Sequence, residues 1–366
     1  MRSKMHLVRP AALLCALALL LTGCASSRRM QRLVVGTYTM RSSAQGVYLY
    51  SFNPRNADTR LLSCAPSGNP SFVTVSSDRK YVYAVNEFHD GREGLSAFWL
   101  EGDSLRPVQR VLFKDAGVDG RSACNILQTG NALVSSNYSG GTVAAYALAD
   151  DGRIGGLLQS FGREGARMHC AVPSPDGKYL FVCNLGNDCV HRFEPGAEGP
   201  LCKPVTAWQN EDPVRFGPRH MVFSPDGRFA CLLCELGDRL VVFRYEDGVL
   251  TPIQTLMAYD GEGHASADIH FSPDGRFLYT SHRRQKDGIA IFSVDRESGL
   301  VTPVGYQKTG AHPRNFAISP DGRFLLCACR DSNCIEIYSV DRRSGALRPS
   351  GKSIRVGAPV CVQFTF

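Results

Sequence analysis

The segment GPRHMVFSPDGRFACLLCE, residues 217–235, contains two strand-like stretches separated by a tight turn, with polar side chains outside both stretches. Residues 221–224 predict a short first strand, Pro225-Asp226-Gly227 is a turn sequence, and residues 228–234 predict a second strand rich in apolar side chains. A turn of this length makes the two strands antiparallel. The segment therefore predicts a β-hairpin.

This hairpin places three polar residues at one of its ends. Arg219 and His220 precede the first strand, and Glu235 follows the second. In an antiparallel pair these positions lie at the same end, opposite the turn. Local sequence alone therefore brings an arginine, a histidine and a glutamate near one another.

The SPDG turn recurs along the chain, starting at Ser174, Ser224, Ser272 and Ser319, at intervals of 50, 48 and 47 residues. Degenerate copies lie at residues 76–79 and 128–131. Each unit predicts four strands within about 48 residues, which is typical of a β-propeller blade, and the faces of such a blade are buried only when neighbouring blades stack. The repeat therefore predicts an all-β propeller.

The two ends of the chain predict complementary parts of one further blade. Residues 359–366 resemble an innermost strand that stops where its turn should follow, and residues 33–39, 47–52 and 60–65 resemble the other three strands of a blade. Joining them adds a seventh blade and closes the ring without a covalent bond. The expected fold is an all-β, seven-bladed propeller of four-stranded blades over residues 33–366, whose last blade is built from both termini.

All positions before an inner strand, or after its partner, lie on one rim of the central channel in such a ring. Five of the eight histidines beyond residue 23 fall there: His169, His220, His264, His282 and His312. Other titratable residues on this rim include Asp268, Arg314, Tyr38, Glu87 and Glu235. Convergent titratable groups in a cleft indicate a functional site. Polar loops at the mouth of a water-filled channel give the same pattern without any function, so this alternative stays open.

The first 23 residues predict a signal peptide. Arg2, Lys4 and Arg9 precede an apolar run over residues 11–21, which is too short to span a bilayer. Leu21-Thr22-Gly23-Cys24 resembles a bacterial lipobox, in which cleavage occurs before a cysteine that carries lipid. We expect residues 24–32 to form a tether and Cys24 to anchor an exported protein at a membrane, in the periplasm or at the outer membrane.

Composition argues against a nucleic-acid partner. The formal net charge is +7, and removal of the signal peptide takes away three of these charges, which leaves about +4. No Ser/Pro-rich linker or charge block interrupts the remaining chain. The sequence thus predicts one large domain and, apart from the lipid anchor, no membrane contact.

Four segments of the chain carry a family resemblance: VVGTYT and GVYLYSF near the start, NYSGGTVAAY at residues 137–146, GPRHMVFSPDG, and AHPRNFAISPDGRFL at residues 311–325. Together they resemble the lactonase family of seven-bladed propellers, which includes bacterial 6-phosphogluconolactonases and the carboxymuconate lactonizing enzymes. SPDG alone is shared by many propellers, but the order of these segments is more specific. The resemblance covers essentially the whole chain after the signal peptide.

This resemblance implies a polar centre formed by His169, Arg219, Glu235 and Arg283, with His220, His312 and Asn315 as further substrate-binding residues. His169 and Glu235 would be the catalytic pair. The chain departs from the family pattern at Arg167, where relatives often have a histidine, and at Asn184, where they often have an aspartate. Both changes make the predicted pocket more cationic.

These residue types suit hydrolysis of a lactone. A histidine or a glutamate can deprotonate the attacking water, and cations stabilise an oxyanion. Arginines also bind a carboxylate or phosphate in a bidentate way. A purely structural interpretation remains for each residue: His169 as a satisfied core histidine, and Glu235 with Arg219 as an ion pair across the hairpin end.

The cysteines do not indicate a metal site. Twelve cysteines follow Cys24, among them Cys231, Cys234, Cys327 and Cys329. Within a strand, residues i and i+3 point to opposite faces, so Cys231 and Cys234 cannot reach one ion. We expect these cysteines to act as small buried apolar residues, we expect no metal and no cofactor, and we assign no disulfide.

The sequence and the family resemblance thus predict an exported, metal-independent lactonase that acts on a small-molecule sugar lactone, with an anionic lactone, as in 6-phosphogluconolactonases, as one candidate. Two alternatives stay open. One is a non-catalytic propeller that binds a ligand or protein at the same rim, and the other is a cycloisomerase of the muconate-lactonizing type.

Overall fold

A computed structural model describes residues 30–261 and 263–365, and within them the chain forms a ring of seven four-stranded antiparallel sheets. We number the sheets as blades 1 to 7 in chain order of their inner strands. Blade 1 comprises β4 (Val73–Val75), β5 (Tyr81–Asn86), β6 (Gly94–Glu101) and β7 (Ser104–Leu112); blade 2 comprises β8 (Ala123–Thr129), β9 (Ala132–Asn137), β10 (Thr142–Leu148) and β11 (Ile154–Gly162). Blade 3 comprises β12 (Met168–Pro173), β13 (Leu180–Asn184), β14 (Cys189–Gly196) and β15 (Gly199–Gln209).

The remaining blades repeat this order from the channel outward. Blade 4 comprises β16 (Pro218–Phe223), β17 (Phe229–Cys234), β18 (Arg239–Glu246) and β19 (Val249–Met257); blade 5 comprises β20 (Ser266–Phe271), β21 (Phe277–His282), β22 (Gly288–Val294) and β23 (Val301–Lys308). Blade 6 comprises β24 (Pro313–Ile318), β25 (Phe324–Cys329), β26 (Cys334–Val340) and β27 (Leu347–Arg355). Two short 3-10 turns, Phe113–Ala116 and Arg330–Ser332, accompany the strands.

Blade 7 is built from both termini, which confirms the predicted closure. Its inner strand is β28 (Pro359–Thr365), followed outward by β1 (Gln31–Thr37), β2 (Gly46–Phe52) and β3 (Thr59–Pro66). β28 pairs antiparallel with β1, with Val35 opposite Val362. β1 begins at Gln31 and so includes the last two residues of the segment expected to be a tether.

The core of the molecule lies between the blades. Buried apolar side chains form seven clusters in the described chain, one at each contact between neighbouring blades. One example is the contact of blade 4 with blade 5, where Leu240 and Val242 pack with Phe292 and Leu278. Each sheet therefore buries both faces only because the ring is closed.

Most inner strands carry a register shift near their first residues. In β16 it lies between Pro218 and His220, and equivalent shifts occur in β8, β12, β20 and β24. Such a bulge breaks the strict alternation of side chains along a strand. The bulges lie at the rim of the channel that carries the polar residues, and they re-aim these side chains.

Candidate active site

Glu235 lies between two buried arginines at the predicted rim. The Nε of Arg219 donates to Oε2 of Glu235 at 2.7 Å, and Nη2 of Arg283 lies 3.1 Å from Oε1. The side chains of Arg219 and Arg283 are only 2% and 3% exposed. The carboxylate thus holds two guanidinium groups that come from neighbouring blades.

Backbone carbonyls of blade 5 fix the same two arginines. Arg219 donates through Nη1 to the carbonyl of Ala267, and Arg283 donates through Nε to the carbonyl of Ala265 at 2.9 Å. A guanidinium has five N–H donors in a rigid fork, so several acceptors are needed to bury it. These contacts leave both cations in defined orientations at the channel mouth.

The charges of this cluster shift the pKa values of its members. Burial alone would raise the pKa of Glu235, but Arg219, Arg283 and Arg314 lower it below its ordinary value. Burial, and then the charge of Arg219, lowers the pKa of Arg283. Glu235 is therefore ionised at neutral pH, and the cationic side of the cluster remains incompletely compensated.

Arg314 is the third arginine of the site, and its bonding differs from that of the other two. Its side chain is 16% exposed, it lies 3.8 Å from Oε2 of Glu87, and its guanidinium sits 5.4 Å from the centre of the Tyr38 ring. The hydroxyl of Tyr38 donates to Oε2 of Glu87 at 2.9 Å. Among the residues that the structure describes, no acceptor takes a hydrogen bond from Arg314, so its donors remain free for a ligand.

Two neutral histidines face this arginine cluster. His169 and His220 are 4% and 6% exposed, and their rings lie 5.1 Å apart, centre to centre, at 61°. Burial first, and then Arg219 and its neighbours, lowers the pKa of His169 well below its ordinary value. Burial and Arg219 likewise lower the pKa of His220 to about 4. Both rings are therefore uncharged at neutral pH.

Asp268 organises the floor of the site. Its Oδ1 accepts from Nδ1 of His220 at 2.8 Å, and its Oδ2 accepts from Nε2 of His270 at 2.9 Å. Asn315 donates through Nδ2 to the same Oδ2, while its Oδ1 accepts the backbone N–H of Val362 at 2.7 Å. Both ends of the Asn315 amide are thus engaged in holding Asp268 and the blade-closing strand β28.

Other predicted rim histidines lie around the site in different ways. His312 is buried, its Nδ1 lies 3.5 Å from Asp331, and burial with nearby arginines lowers its pKa to about 3. The ring of His282 stacks on Tyr259 at 4.0 Å, and its nitrogens contact the hydroxyls of Ser266 and Thr280. His264 points outward and is exposed.

The structure thus brings six of the seven sequence-predicted site residues around one cluster, with Asn315 beneath it. The structure also places five further residues at the site: Arg314, Glu87, Tyr38, Asp268 and His270. The first four belong to the predicted rim but were not selected as site residues. Aligning the SPDG repeats provides a signal that identifies Asp268, because Asp268, His220 and Asn315 each stand four residues before the turn serine. His270 stands two residues before it, at a position expected to be apolar.

The twelve cysteines beyond Cys24 are free thiols in the structure, and most of them are buried. Within residues 30–261 and 263–365, no group of three His, Cys, Asp or Glu side chains is arranged to hold a metal ion. Cys24, expected to carry lipid, and the signal peptide of residues 1–23 lie outside the described residues. No helix of the described chain has the length and apolar character needed to cross a membrane.

Comparison with known proteins agrees with this architecture. The sequence profile of the family described as "Lactonase, 7-bladed beta-propeller" matches residues 32–364. A 6-phosphogluconolactonase of Formosa agariphila is 31% identical over 322 residues, which cover 83% of this chain and 90% of that protein. The profile match spans the whole ring of blades.

Two solved structures share both the fold and a clear sequence similarity with this chain. The periplasmic gluconolactonase PpgL of Pseudomonas aeruginosa superposes with a TM-score of 0.84 at 29% identity, covering 92% of this chain and 99% of that one. A protein of Bacteroides fragilis, assigned as a 6-phosphogluconolactonase, superposes with a TM-score of 0.85 at 36% identity, covering 92% and 98%. The chain therefore belongs to the lactonase family of seven-bladed β-propellers.

Proposed function

We propose that this protein hydrolyses a sugar lactone that carries an anionic substituent, by general acid/base catalysis at the channel rim and without a metal ion. The observation that carries the proposal is a partly buried arginine, Arg314, whose donors bond no acceptor among the described residues and whose charge acts on the neutral ring of His169. The relatives named 6-phosphogluconolactonase and gluconolactonase support a sugar lactone as the substrate class. The first name also supports a phosphate as the anionic substituent.

Arg314 is the proposed anchor for the anionic group. Arg219 and Arg283 already share Glu235 and backbone carbonyls. Within the described chain, Arg314 has a 3.8 Å ion pair with Glu87 and a ring contact with Tyr38, but no hydrogen bond. A carboxylate or phosphate accepts two parallel N–H bonds from a guanidinium. Arg219 and Arg283 then lie near the lactone carbonyl, where they stabilise the oxyanion that forms during attack.

His169 is the proposed general base, and Glu235 is the proposed electrostatic anchor of the two arginines. A neutral imidazole takes a proton from water as the water oxygen bonds to the lactone carbonyl carbon. The same proton is then delivered to the ring oxygen when the C–O bond breaks, which gives the open-chain hydroxy acid. The acid loses its proton to solvent, so the protein is unchanged at the end of the cycle.

An anionic substrate would also strengthen this base. The arginine charges contribute to the low pKa of His169. A bound phosphate or carboxylate compensates these charges, which raises the pKa of His169 towards the working pH, where general-base catalysis is most efficient. A neutral lactone lacks this effect, so the proposal predicts a preference in turnover as well as in binding.

The test uses the full-length protein purified in detergent, with acid release followed above the spontaneous rate. We expect kcat/KM for 6-phosphogluconolactone to exceed that for gluconolactone by about tenfold or more, and we expect EDTA to leave the rate unchanged. Arg314→Gln should abolish this preference, whereas Arg153→Gln, at an exposed arginine, should retain it. Absence of hydrolysis with every lactone tested would contradict the proposal and favour a binding propeller, and lactone formation from an unsaturated dicarboxylate would favour the cycloisomerase.

We also propose that the protein is exported and anchored through lipid on Cys24. The support is the charged, apolar and lipobox order of residues 2–24 and the periplasmic location named for the Pseudomonas relative. Cys24→Ala should block both lipid attachment and the associated cleavage, so metabolic labelling with palmitate should mark the wild type alone and the variant should migrate as the longer precursor. Equal labelling of the two proteins would contradict the anchor.

A further inference from the structure

The floor of the site contains a continuous row of four titratable side chains. His169 faces His220, His220 bonds Oδ1 of Asp268, and Oδ2 of Asp268 bonds His270. They come from the inner strands β12, β16 and β20 of three consecutive blades. The proposed reaction uses only the first of them.

The contact between the two histidine rings leaves one nitrogen of each unsatisfied. Nδ1 of His169 and Nε2 of His220 are buried, and neither has a hydrogen-bond partner in the described part of the chain. His220 gives its Nδ1 hydrogen to Asp268, so its Nε2 is an acceptor when the ring is neutral. With the rings 5.1 Å apart, a small rotation of His169 lets its Nδ1–H donate to that nitrogen.

This pairing would fix the tautomer of His169. If Nδ1 of His169 carries the hydrogen, Nε2 has the free lone pair. Nδ1 is buried without a partner and Nε2 is not, so we infer that Nε2 is the nitrogen that meets the substrate. A base that is oriented by a second group, itself held by a carboxylate, is the arrangement that nucleophilic and acid/base sites use repeatedly.

His270 stands at the other end of this row. It lies two residues beyond Asp268 along β20, towards the SPDG turn and so roughly 7 Å closer to the opposite mouth of the channel. Its side chain is 41% exposed, whereas Asp268 is 4% exposed. Asp268, His220 and Asn315 are all buried, so we infer that the exposed face of His270 is turned towards the SPDG side.

We propose that His169, His220, Asp268 and His270 form one charge-coupled chain, in which His270 is a positioning residue that senses the opposite channel mouth and sets the basicity of the catalytic base. This inference rests on the proposed function only in naming His169 as the base. The coupling acts through charge and hydrogen-bond polarity, and Asp268 stays ionised throughout.

The direction of the coupling follows from the charges that face Asp268. Burial alone would lower the pKa of His270, but Asp268 raises it above its ordinary value. Burial and Arg219 lower the pKa of His220, and the charge of His270 lowers it further. The neighbouring thiols of Cys170 and Cys361 are neutral, because burial raises the pKa of each to about 12.

The two protonation states of His270 therefore give His169 two different basicities. When His270 is protonated, it neutralises Asp268, and His220 and His169 are weak bases. When His270 loses its proton, the charge of Asp268 is uncompensated, which favours positive charge on His220 and His169. Activity should accordingly rise with pH through the raised pKa of His270.

Two substitutions separate this coupling from a structural role. His270→Gln keeps a donor to Asp268 and is permanently neutral, while His270→Lys is permanently cationic. We expect the glutamine variant to hold the high-pH rate down to lower pH, and the lysine variant to stay about threefold to tenfold slower over the whole range. Both should lack the inflection in kcat/KM, which His89→Gln, at an exposed histidine outside the site, should retain.

A second measurement does not depend on lactonase activity. NMR titration of 15N-histidine-labelled protein should show a higher pKa of His220 in His270→Gln than in the wild type or in His270→Lys. If these pKa values coincide, or if both variants lose activity equally while the inflection remains, the coupled chain is overturned. If the coupling is seen but no lactone is hydrolysed, the chain stands and the proposed function fails.

Discussion

At the residue scale, Arg219 is the largest fully buried side chain of the described residues, and it carries a charge. The side chain is 2% exposed, and Glu235 and one backbone carbonyl are its acceptors. An isolated buried charge is strongly unfavourable, and removing one partner of a buried ion pair costs about 3–5 kcal/mol. Glu235 therefore stabilises the fold as well as the charge pattern of the site.

Glu235→Gln tests both contributions, because it keeps the volume and removes the charge. We expect turnover to fall about a hundredfold or more, since the arginines lose their anchor. We also expect the free energy of unfolding to fall by about 3–5 kcal/mol. Steady-state kinetics and chemical denaturation measure the two effects. Asp247→Asn removes an exposed pair with Lys178, at 2.9 Å, and should change stability by less than about 1 kcal/mol.

The pH dependence of this stability has a defined sign. The pKa of Glu235 is lower in the folded protein than in the unfolded chain. The stabilisation by Glu235 is therefore fully present above the unfolded-state pKa, and it is lost as the pH falls through the folded-state pKa. The difference in melting temperature between the wild type and Glu235→Gln should therefore shrink on acidification below the ordinary range of a glutamate. A constant difference down to the acid limit would show that the carboxylate charge contributes nothing.

The sequence predicted which residue types meet at the rim, but it could not predict how they share their bonds. Arg219 and His220 are consecutive, and a regular strand would send them to opposite faces. The bulge between Pro218 and His220 breaks that alternation, so Arg219 reaches Glu235 while His220 reaches Asp268. His270 was missed because it occupies a strand position that is apolar in most of the other repeats.

At the scale of the element, the outer turns of blades 2, 4, 5 and 6 each pack on the blade before them. Gly299 in blade 5 has φ +80, and a Cβ there would lie 2.3 Å from the ring of Phe229 in blade 4. Gly152, Gly248 and Gly345 meet Tyr81, Tyr179 and Phe277 in the same way. The repeat thus carries a glycine and aromatic contact that couples neighbouring blades.

Gly299→Ala should therefore destabilise the protein for two reasons. The left-handed backbone disfavours alanine by about 1 kcal/mol, and the clash with Phe229 adds about 1–3 kcal/mol of overpacking. Gly351→Ala is the matched control, because its φ is +76 but nothing lies within 4 Å of the added carbon. Denaturant unfolding should show a larger loss for Gly299→Ala, and equal losses would mean that the aromatic contact has no role.

The strand order of the blades was predictable because turn residues and apolar runs are local signals that recur. The position of β4 was less so: it is only three residues long, Val73–Val75, and its turn SSDR has no glycine. Packing against neighbouring strands fixes the position of β4 instead, since Val73 belongs to one buried cluster with Val34 and Val82 between blades 7 and 1. Tertiary contacts rather than local propensity set this element.

At the scale of the whole molecule, closure of the ring supports the interfaces of blade 7 with both of its neighbours, and through them the other five. β28 contributes four buried side chains, Val360, Cys361, Val362 and Phe364, to blade 7. Three of them belong to the two clusters that join blade 7 to blades 6 and 1. Burial of such side chains stabilises by about 1.5–3 kcal/mol each, so β28 supplies on the order of 6–12 kcal/mol. This is comparable with the whole stability of an ordinary domain.

Deletion of residues 359–366 should therefore unfold or severely destabilise the ring. The deletion leaves β1 without its inner partner, so the backbone N–H and C=O groups of β1 face the channel unpaired. The deletion also removes the Val362 N–H that bonds Asn315, and this loosens Asp268 at the floor of the site. We expect the cooperative melting transition of the full-length protein to disappear or to move down by more than ten degrees. In a domain of this size, each kcal/mol lost from the free energy of unfolding lowers the melting temperature by about 4 °C or less, and several kcal/mol are lost here. Addition of a synthetic peptide spanning residues 359–366 should restore part of the transition, whereas a peptide of the same composition in scrambled order should not. An unchanged melting curve in the truncated protein would show that closure by β28 does not hold the ring together.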